Sequence, residues 1–259
     1  MTAARALPFD IRNAQGERID AVWRPAASSV ASAPDAPPAV MVVIGHGVTS
    51  HWDRPWQTEL STALSDAGLA SLLISFAGNG ASEGLFEAVT PTREAADLGS
   101  VLDALQVWGV RRLAYVGHSM GGAVGVLRAS MDPRIEALVS LAGMFHVHDF
   151  MQQQFGHLVP GAGLMLDKPG CVWNRTLADD ALRLGSLETQ AALMRVPWLL
   201  VHGDADELVP LRDSLDAQRA AGAAVDLVVL PGVDHRFTDA VVAMTAAVVS
   251  WLEPRLQSR

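Results

Sequence analysis

The feature that most constrains this chain is the stretch Tyr115-Val116-Gly117-His118-Ser119-Met120-Gly121-Gly122-Ala123-Val124. An apolar run from Leu113 to Val116 leads into it, and a segment of helical character leaves it. Glycine two places before and two places after a serine has a steric reason. A sharp strand-to-helix turn leaves no room for a Cβ on either side. Such a turn holds the serine in a strained backbone conformation and projects Ser119 Oγ from the sheet edge. It also aims the Met120 N–H, at a helix N-terminus, toward any oxygen bound nearby. Ser119 is the candidate nucleophile.

The rest of the chain supplies the sheet that such a turn requires. Residues 5 to 23 read as a β-hairpin turning at Gln15-Gly16, and Ala26 to Pro38 reads as a Ser/Ala/Pro surface loop. Continuous apolar runs at 39–44, 69–76, 113–116, 135–141, 198–203 and 225–230 have the character of strands covered on both faces. Between them lie amphipathic helices. One has Trp56, Leu60 and Leu64 on a single face; another starts at Thr90-Pro91 and carries Leu98, Val101, Leu102 and Leu105; the last carries Met244, Val248 and Trp251. This alternation predicts one α/β domain over residues 1–259, with a mostly parallel central sheet and helices on both faces. From Gly143 to about Arg195 the rhythm is lost. Residues 144–195 are expected to form a small lid over the carboxyl ends of the strands.

Composition narrows the class of activity. With 19 basic against 28 acidic residues the chain carries a net charge of −9. It shows no basic cluster suited to a phosphate backbone, so no nucleic-acid partner is expected. No apolar run approaches the ~18 residues of a membrane span. The one cysteine, Cys171, suits a reducing cytoplasm. His146, His148 and His157 lack companion ligands at metal-site spacing, so neither metal nor cofactor is expected.

A serine hydroxyl needs a base to take its proton, and the base needs a group to hold its tautomer. Of eight histidines, His235 follows the last strand in Pro231-Gly232-Val233-Asp234-His235-Arg236-Phe237. A loop at a strand's carboxyl end is where such a sheet builds its site. His46, His118 and His202 read as structural, and His51 as a surface residue. The turn Asp204-Ala205-Asp206-Glu207 offers the acid. Asp206 is preferred for its depth in the turn, with Asp204 as the fallback. The order Ser…Asp…His matches one of the known triad orders. The backbone N–H groups of Val48, in Gly45-His46-Gly47-Val48, and of Met120 are expected to hold the oxyanion of a tetrahedral intermediate. Trp52, Trp56, Phe145, Phe150 and Trp173 are candidates for an apolar substrate pocket.

Five blocks carry a family resemblance: Gly45-His46-Gly47-Val48 with the residues to Pro55, Phe76 to Gly84, Gly117 to Gly121, His202 to Pro210, and Gly232 to Phe237. Together they resemble the α/β-hydrolase superfamily. Within it they are similar to serine esterases related to bacterial cinnamoyl (feruloyl) esterases and to monoacylglycerol-lipase-like or lysophospholipase-like hydrolases. The resemblance implies Ser119 as nucleophile, Asp206 as acid, His235 as base, and Val48 and Met120 as oxyanion donors. It implies cleavage of small or medium carboxylic esters. A small-molecule ester is the expected partner, and a homodimer is the assembly to test. Two departures stand out. Val48 occupies a position where relatives often carry a bulky aromatic residue, and the lid has no tyrosine, since the only one is Tyr115. An amidase, thioesterase or peptidase would use the same triad. An acyltransferase, a lyase or a non-catalytic protein would keep the same fold.

Overall fold

The computed structural model describes residues 2–29, 36–222 and 225–257. Much of the expected surface loop, residues 30–35, lies outside the described residues. In chain order the elements are β1 (Ile11–Arg12), β2 (Arg18–Arg24), β3 (Val40–Gly45), α1 (Pro55–Asp66), β4 (Ala70–Ser75), α2 (Pro91–Trp108), β5 (Arg112–His118) and α3 (Met120–Ala129). These are followed by β6 (Ile135–Leu141), α4 (Val147–Phe155), α5 (Arg175–Leu184), α6 (Glu188–Ala192), β7 (Trp198–Gly203), α7 (Arg212–Ala221), β8 (Val225–Leu230) and α8 (Val241–Gln257).

The strands form one sheet in the order β1-β2-β4-β3-β5-β6-β7-β8. The hairpin β1–β2 joins β4 antiparallel, and every other pairing is parallel. The expected hairpin is present with Gly16 at φ +80° in its turn, although its first strand is only two residues long. Strand order reverses around β3 and β5, so the loops after these strands face each other. In an open parallel sheet this is where a crevice forms.

Period-two alternation in the parallel strands feeds two cores. Met41 and Val43 point to the layer of α2 and α3, while Val42 and Ile44 point to the layer of α1 and α8, and all four are fully buried. Leu98, Leu102 and Leu105 fill the first layer; Leu60, Leu64, Met244 and Val248 fill the second. Each such side chain stabilises the fold by about 1.5–3 kcal/mol relative to exposure. Thr90 caps α2 by accepting from the Arg93 N–H at 3.1 Å, with Pro91 at the first helical position.

The segment between β6 and β7 is more regular than its sequence suggests. It holds the short helices α4, α5 and α6 and a 3₁₀ turn at Met165–Asp167. Helices of nine, ten and five residues give too few turns for a clear apolar period. Phe155, Trp173, Leu177 and Leu187, from these helices and the turns between them, join the core on the α2 side. Among the described residues no helix is long and apolar enough to cross a membrane.

Candidate active site

Ser119 sits between β5 and α3 at φ +54°, ψ −117°, a conformation that costs a non-glycine residue about 1–3 kcal/mol. The surroundings hold it there. Its N–H donates to the Leu141 carbonyl at 2.9 Å, and its own carbonyl accepts from Gly122 and Met144 at 2.9 and 3.1 Å. The flanking glycines are required by space. A Cβ on Gly117 would lie 2.1 Å from the Gly121 carbonyl oxygen, and one on Gly121 would lie 2.5 Å from that of His46. The first turn of α3 is therefore pressed against the loop that carries Val48. Among the described residues neither the Val48 N–H nor the Met120 N–H donates to another backbone oxygen. The second is explained by its place at the first helical position.

The candidate acid and base meet through two loops at the ends of β7 and β8. Gly203 lets them close, since a Cβ there would lie 2.1 Å from the Val233 carbonyl oxygen. The Ala205 N–H donates to that same oxygen at 3.2 Å, and the Gly232 N–H donates to Asp204 Oδ1 at 2.6 Å. Asp204 thus pins the loop. Asp206 is the residue that turns inward: its Oδ2 accepts from His235 Nδ1 at 2.8 Å, and its Oδ1 accepts from the N–H groups of Leu208 and Val209, both at 2.9 Å. With Nδ1 committed as a donor, His235 keeps the Nε2 lone pair for a proton.

Two of the three histidines read as structural, His202 and His118, are part of this arrangement. His202 is fully buried, and its Nε2 lies 2.9 Å from the Val209 carbonyl and 3.2 Å from Asp206 Oδ2. Both are acceptors, so Nε2 carries the proton and Nδ1 accepts from the Ser214 hydroxyl at 2.7 Å. Burial alone raises the Asp206 pKa. Hydrogen bonds from His202 and His235, the His235 charge and the Val209 N–H outweigh it, and the carboxyl sits well below its usual range. His118 donates through Nε2 to the His235 carbonyl at 2.9 Å, with ring centroids 4.7 Å apart. Burial, then the charge of His235, lowers the His118 pKa to about 3, so it stays neutral beside the His235 ring. His46 is neutral for a similar reason, lowered to about 4 chiefly by burial, and its Nε2 accepts from the Phe76 N–H at 3.0 Å.

Val48, Ser119 and His235 border one cavity of about 330 Å³. Of the five aromatic residues expected there, Trp56 and Phe150 border it and three do not. Phe145 meets Trp198 edge-on at 5.5 Å, inside the α2-side core. Trp173 is buried against Phe155 at 5.6 Å. Trp52 donates from Nε1 to Asp20 at 2.7 Å, on the side of β2. Each finds a partner away from the crevice, which periodicity cannot foresee. Leu166, Leu208, Arg54, Lys168 and Arg236 border the cavity and carried no sequence signal. Lys168 is the chain's only lysine and donates to the Thr49 carbonyl at 2.6 Å, joining the 144–195 segment to the loop after Val48.

The histidines considered for a metal do not converge. His146 lies near Glu188 and Asp216, without His148 or His157. The Asp216 carboxylate already receives Arg212 at 3.0 Å and Arg219 at 2.5 Å, so it is a poor cation ligand. Cys171 is half-buried and burial raises its pKa, which suppresses thiolate character.

The family model of serine aminopeptidase S33 matches residues 36–174, more than half of the chain. The chain belongs to this family of α/β hydrolases. The match takes in the Val48 loop, the Ser119 turn and most of the 144–195 segment. An uncharacterised protein of Mycobacterium tuberculosis (strain H37Rv) is 29% identical over 210 residues, covering 76% of this chain and 63% of that protein. The chain thus spans less than two thirds of that relative's length. A monoacylglycerol lipase of Mycolicibacterium smegmatis is 26% identical over 234 residues, covering 78% and 83%. Among solved structures, Est1E of Butyrivibrio proteoclasticus with bound ferulic acid superposes with a TM-score of 0.79 at 23% identity, over 96% of this chain and 99% of that one. The fold is therefore that of an α/β hydrolase.

Proposed function

We propose that the chain is a serine hydrolase of carboxylic esters with small to medium acyl or aryl groups. The single observation that carries this reading is the His235–Asp206 contact at 2.8 Å, on a cavity shared with a strained, buried Ser119. In the proposed reaction His235 Nε2 takes the Ser119 proton as Oγ attacks the substrate carbonyl carbon. The carbonyl electrons move onto oxygen, which accepts from the Val48 and Met120 N–H groups. Collapse expels the alcohol, which takes its proton from His235, and leaves an acyl-enzyme. Water, deprotonated by His235, then releases the acid. Asp206 holds the imidazole tautomer and stabilises the imidazolium, and His202 fixes Asp206.

Residues 144–195 serve as the lid in this reading, since Phe150, Leu166 and Lys168 reach the cavity from that segment. A cytoplasmic location rests on the lone, unbridged Cys171.

The family description favours a second reading, an aminopeptidase. Binding a free α-ammonium requires a carboxylate in the site. The cavity offers arginine and lysine instead, and Asp206 is committed to two histidines. Turnover of p-nitrophenyl acetate and butyrate, beside matched thioesters, anilides and aminoacyl substrates, tests the proposal. Esters are expected to lead. Ser119→Ala and His235→Ala should each lose at least about a thousandfold in kcat. Wild-type activity in Ser119→Ala would overturn the assignment.

A further inference from the structure

The histidines His118 and His235 aside, the ionisable residues that border the Ser119 cavity are all cations: Arg54, Lys168 and Arg236. They come from three separate elements. Arg54 is the N-cap of α1, Lys168 follows the 3₁₀ turn of the 144–195 segment, and Arg236 follows the base. In a chain of net charge −9, many arginines among the described residues are paired with carboxylates, such as Arg93 with Glu17, Arg112 with Glu136, Arg134 with Asp132 and Arg212 with Asp216. Among the described residues none of the three cavity cations has an ion pair. The nearby acids are otherwise engaged or turned away. Asp53 pairs with His51, and Asp167 is exposed and outside the cavity lining. Asp234 accepts first from the Thr238 hydroxyl and N–H; the Arg236 N–H and charge also lower its pKa, without a direct ion pair between the two side chains.

Two further observations bear on this positive field. Arg54 stands at a helix N-terminus, where the dipole disfavours a cation and where hydroxyl or acidic caps are usual; its side chain makes no capping bond. Pro55 and Trp56, in the first turn of that helix, also border the cavity. Lys168 is half-buried, and its pKa is lowered first by burial and then by Arg54, with Arg236 adding to it. Lys168 thus lies within the field of both arginines, on a cavity that all three border. Like charges gathered around a small, part-buried cavity gain stability when an anion enters.

We propose that the site selects esters carrying a second, ionised acid group, held at the cavity by Arg54, Lys168 and Arg236. This deepens the esterase reading and rests on it for turnover. The arginine forks suit a carboxylate or a phosphate, and the ester carbonyl is thereby oriented toward Ser119.

Three comparisons test it. The first sets 4-acetoxybenzoate and 4-acetoxyphenyl phosphate against the neutral methyl 4-acetoxybenzoate, which places the anion on the alcohol side. The second sets 4-nitrophenyl hydrogen adipate against 4-nitrophenyl hexanoate, which places it on the acyl side. Rates are normalised to uncatalysed hydrolysis. For at least one anionic member, kcat/KM is expected to exceed its neutral partner by about tenfold or more, carried mainly by KM. The ratio should fall as ionic strength rises, and collapse in the Arg54→Gln/Arg236→Gln double variant. Which member leads tells carboxylate from phosphate and acyl side from alcohol side. The third comparison does not need turnover: calorimetry of Ser119→Ala protein with 4-acetoxybenzoate, the phosphate, the adipate monoester and the neutral esters. Tighter binding of an anion, lost with both arginines, supports the proposal. Neutral members preferred throughout, or a ratio unchanged in the double variant, overturns it. If no ester is turned over, the esterase reading falls, and the calorimetric arm still decides whether the cavity is an anion site.

Discussion

Gly121→Ala tests the convergence on which the site depends. The added Cβ would lie 2.5 Å from the His46 carbonyl oxygen and 3.2 Å from that of Gly45. Ordinary contact begins near 3.4 Å, so the first turn of α3 and the 45–48 loop must part by about 0.9 Å. Both atoms that obstruct the methyl are backbone, and no rotamer change relieves them. Overpacking of this kind costs about 1–3 kcal/mol of stability. The same movement separates the Met120 and Val48 N–H groups, which must lie about 2.7–3.1 Å from one oxyanion. Loss of one such donor lowers kcat by about a hundred- to a thousandfold, and KM should change by less than about threefold, because the donors act in the transition state. Steady-state kinetics on p-nitrophenyl butyrate with urea unfolding of the same preparation measures both quantities. Gly16→Ala is the comparator. Gly16 has φ +80° and nothing within 4 Å of an added Cβ, so it should cost about 1 kcal/mol and leave kcat unchanged. If Gly121→Ala keeps kcat within about threefold and an unchanged unfolding midpoint, the close packing of α3 on the oxyanion loop is not what organises the site.

Two other outcomes follow from the same geometry. The Asp206 pKa is depressed in the fold, so its contribution to stability is complete above the unfolded carboxyl value of about 3.9 and is lost as pH falls toward the lower folded value. Urea unfolding between pH 6 and pH 3 should show that loss in the wild type and not in Asp206→Asn, whose kcat should fall by about ten-thousandfold from a misheld tautomer; parallel pH profiles would contradict the assignment. Trp173→Ala should destabilise the fold by about 3–5 kcal/mol in urea unfolding, with KM unaffected, whereas Trp56→Ala should raise KM; a KM effect at Trp173 would return it to the pocket.

Much of this architecture is legible in the sequence itself. The Ser119 turn is specified within five residues, because the clash that excludes a Cβ at Gly117 or Gly121 arises between immediate neighbours and the loop they touch. The buried strands announced themselves as unbroken apolar runs, since both of their faces meet helices. The positions of Asp206 and His235 followed from one topological rule, that loops at strand ends gather over the sheet. What tertiary structure alone decided was which remote groups share the crevice. No motif around His202 reveals that it shares the Asp206 Oδ2 with His235. Five aromatic residues had equal claims on the pocket, and packing against Trp198, Phe155 and Asp20 removed three of them. Arg54, Lys168 and Arg236 are scattered over more than 180 positions, and only folding brings their charges together. Local sterics act over a few bonds and so are written in short motifs, while the field inside a cavity is a sum over segments whose meeting depends on how the entire sheet and its crossing loops pack.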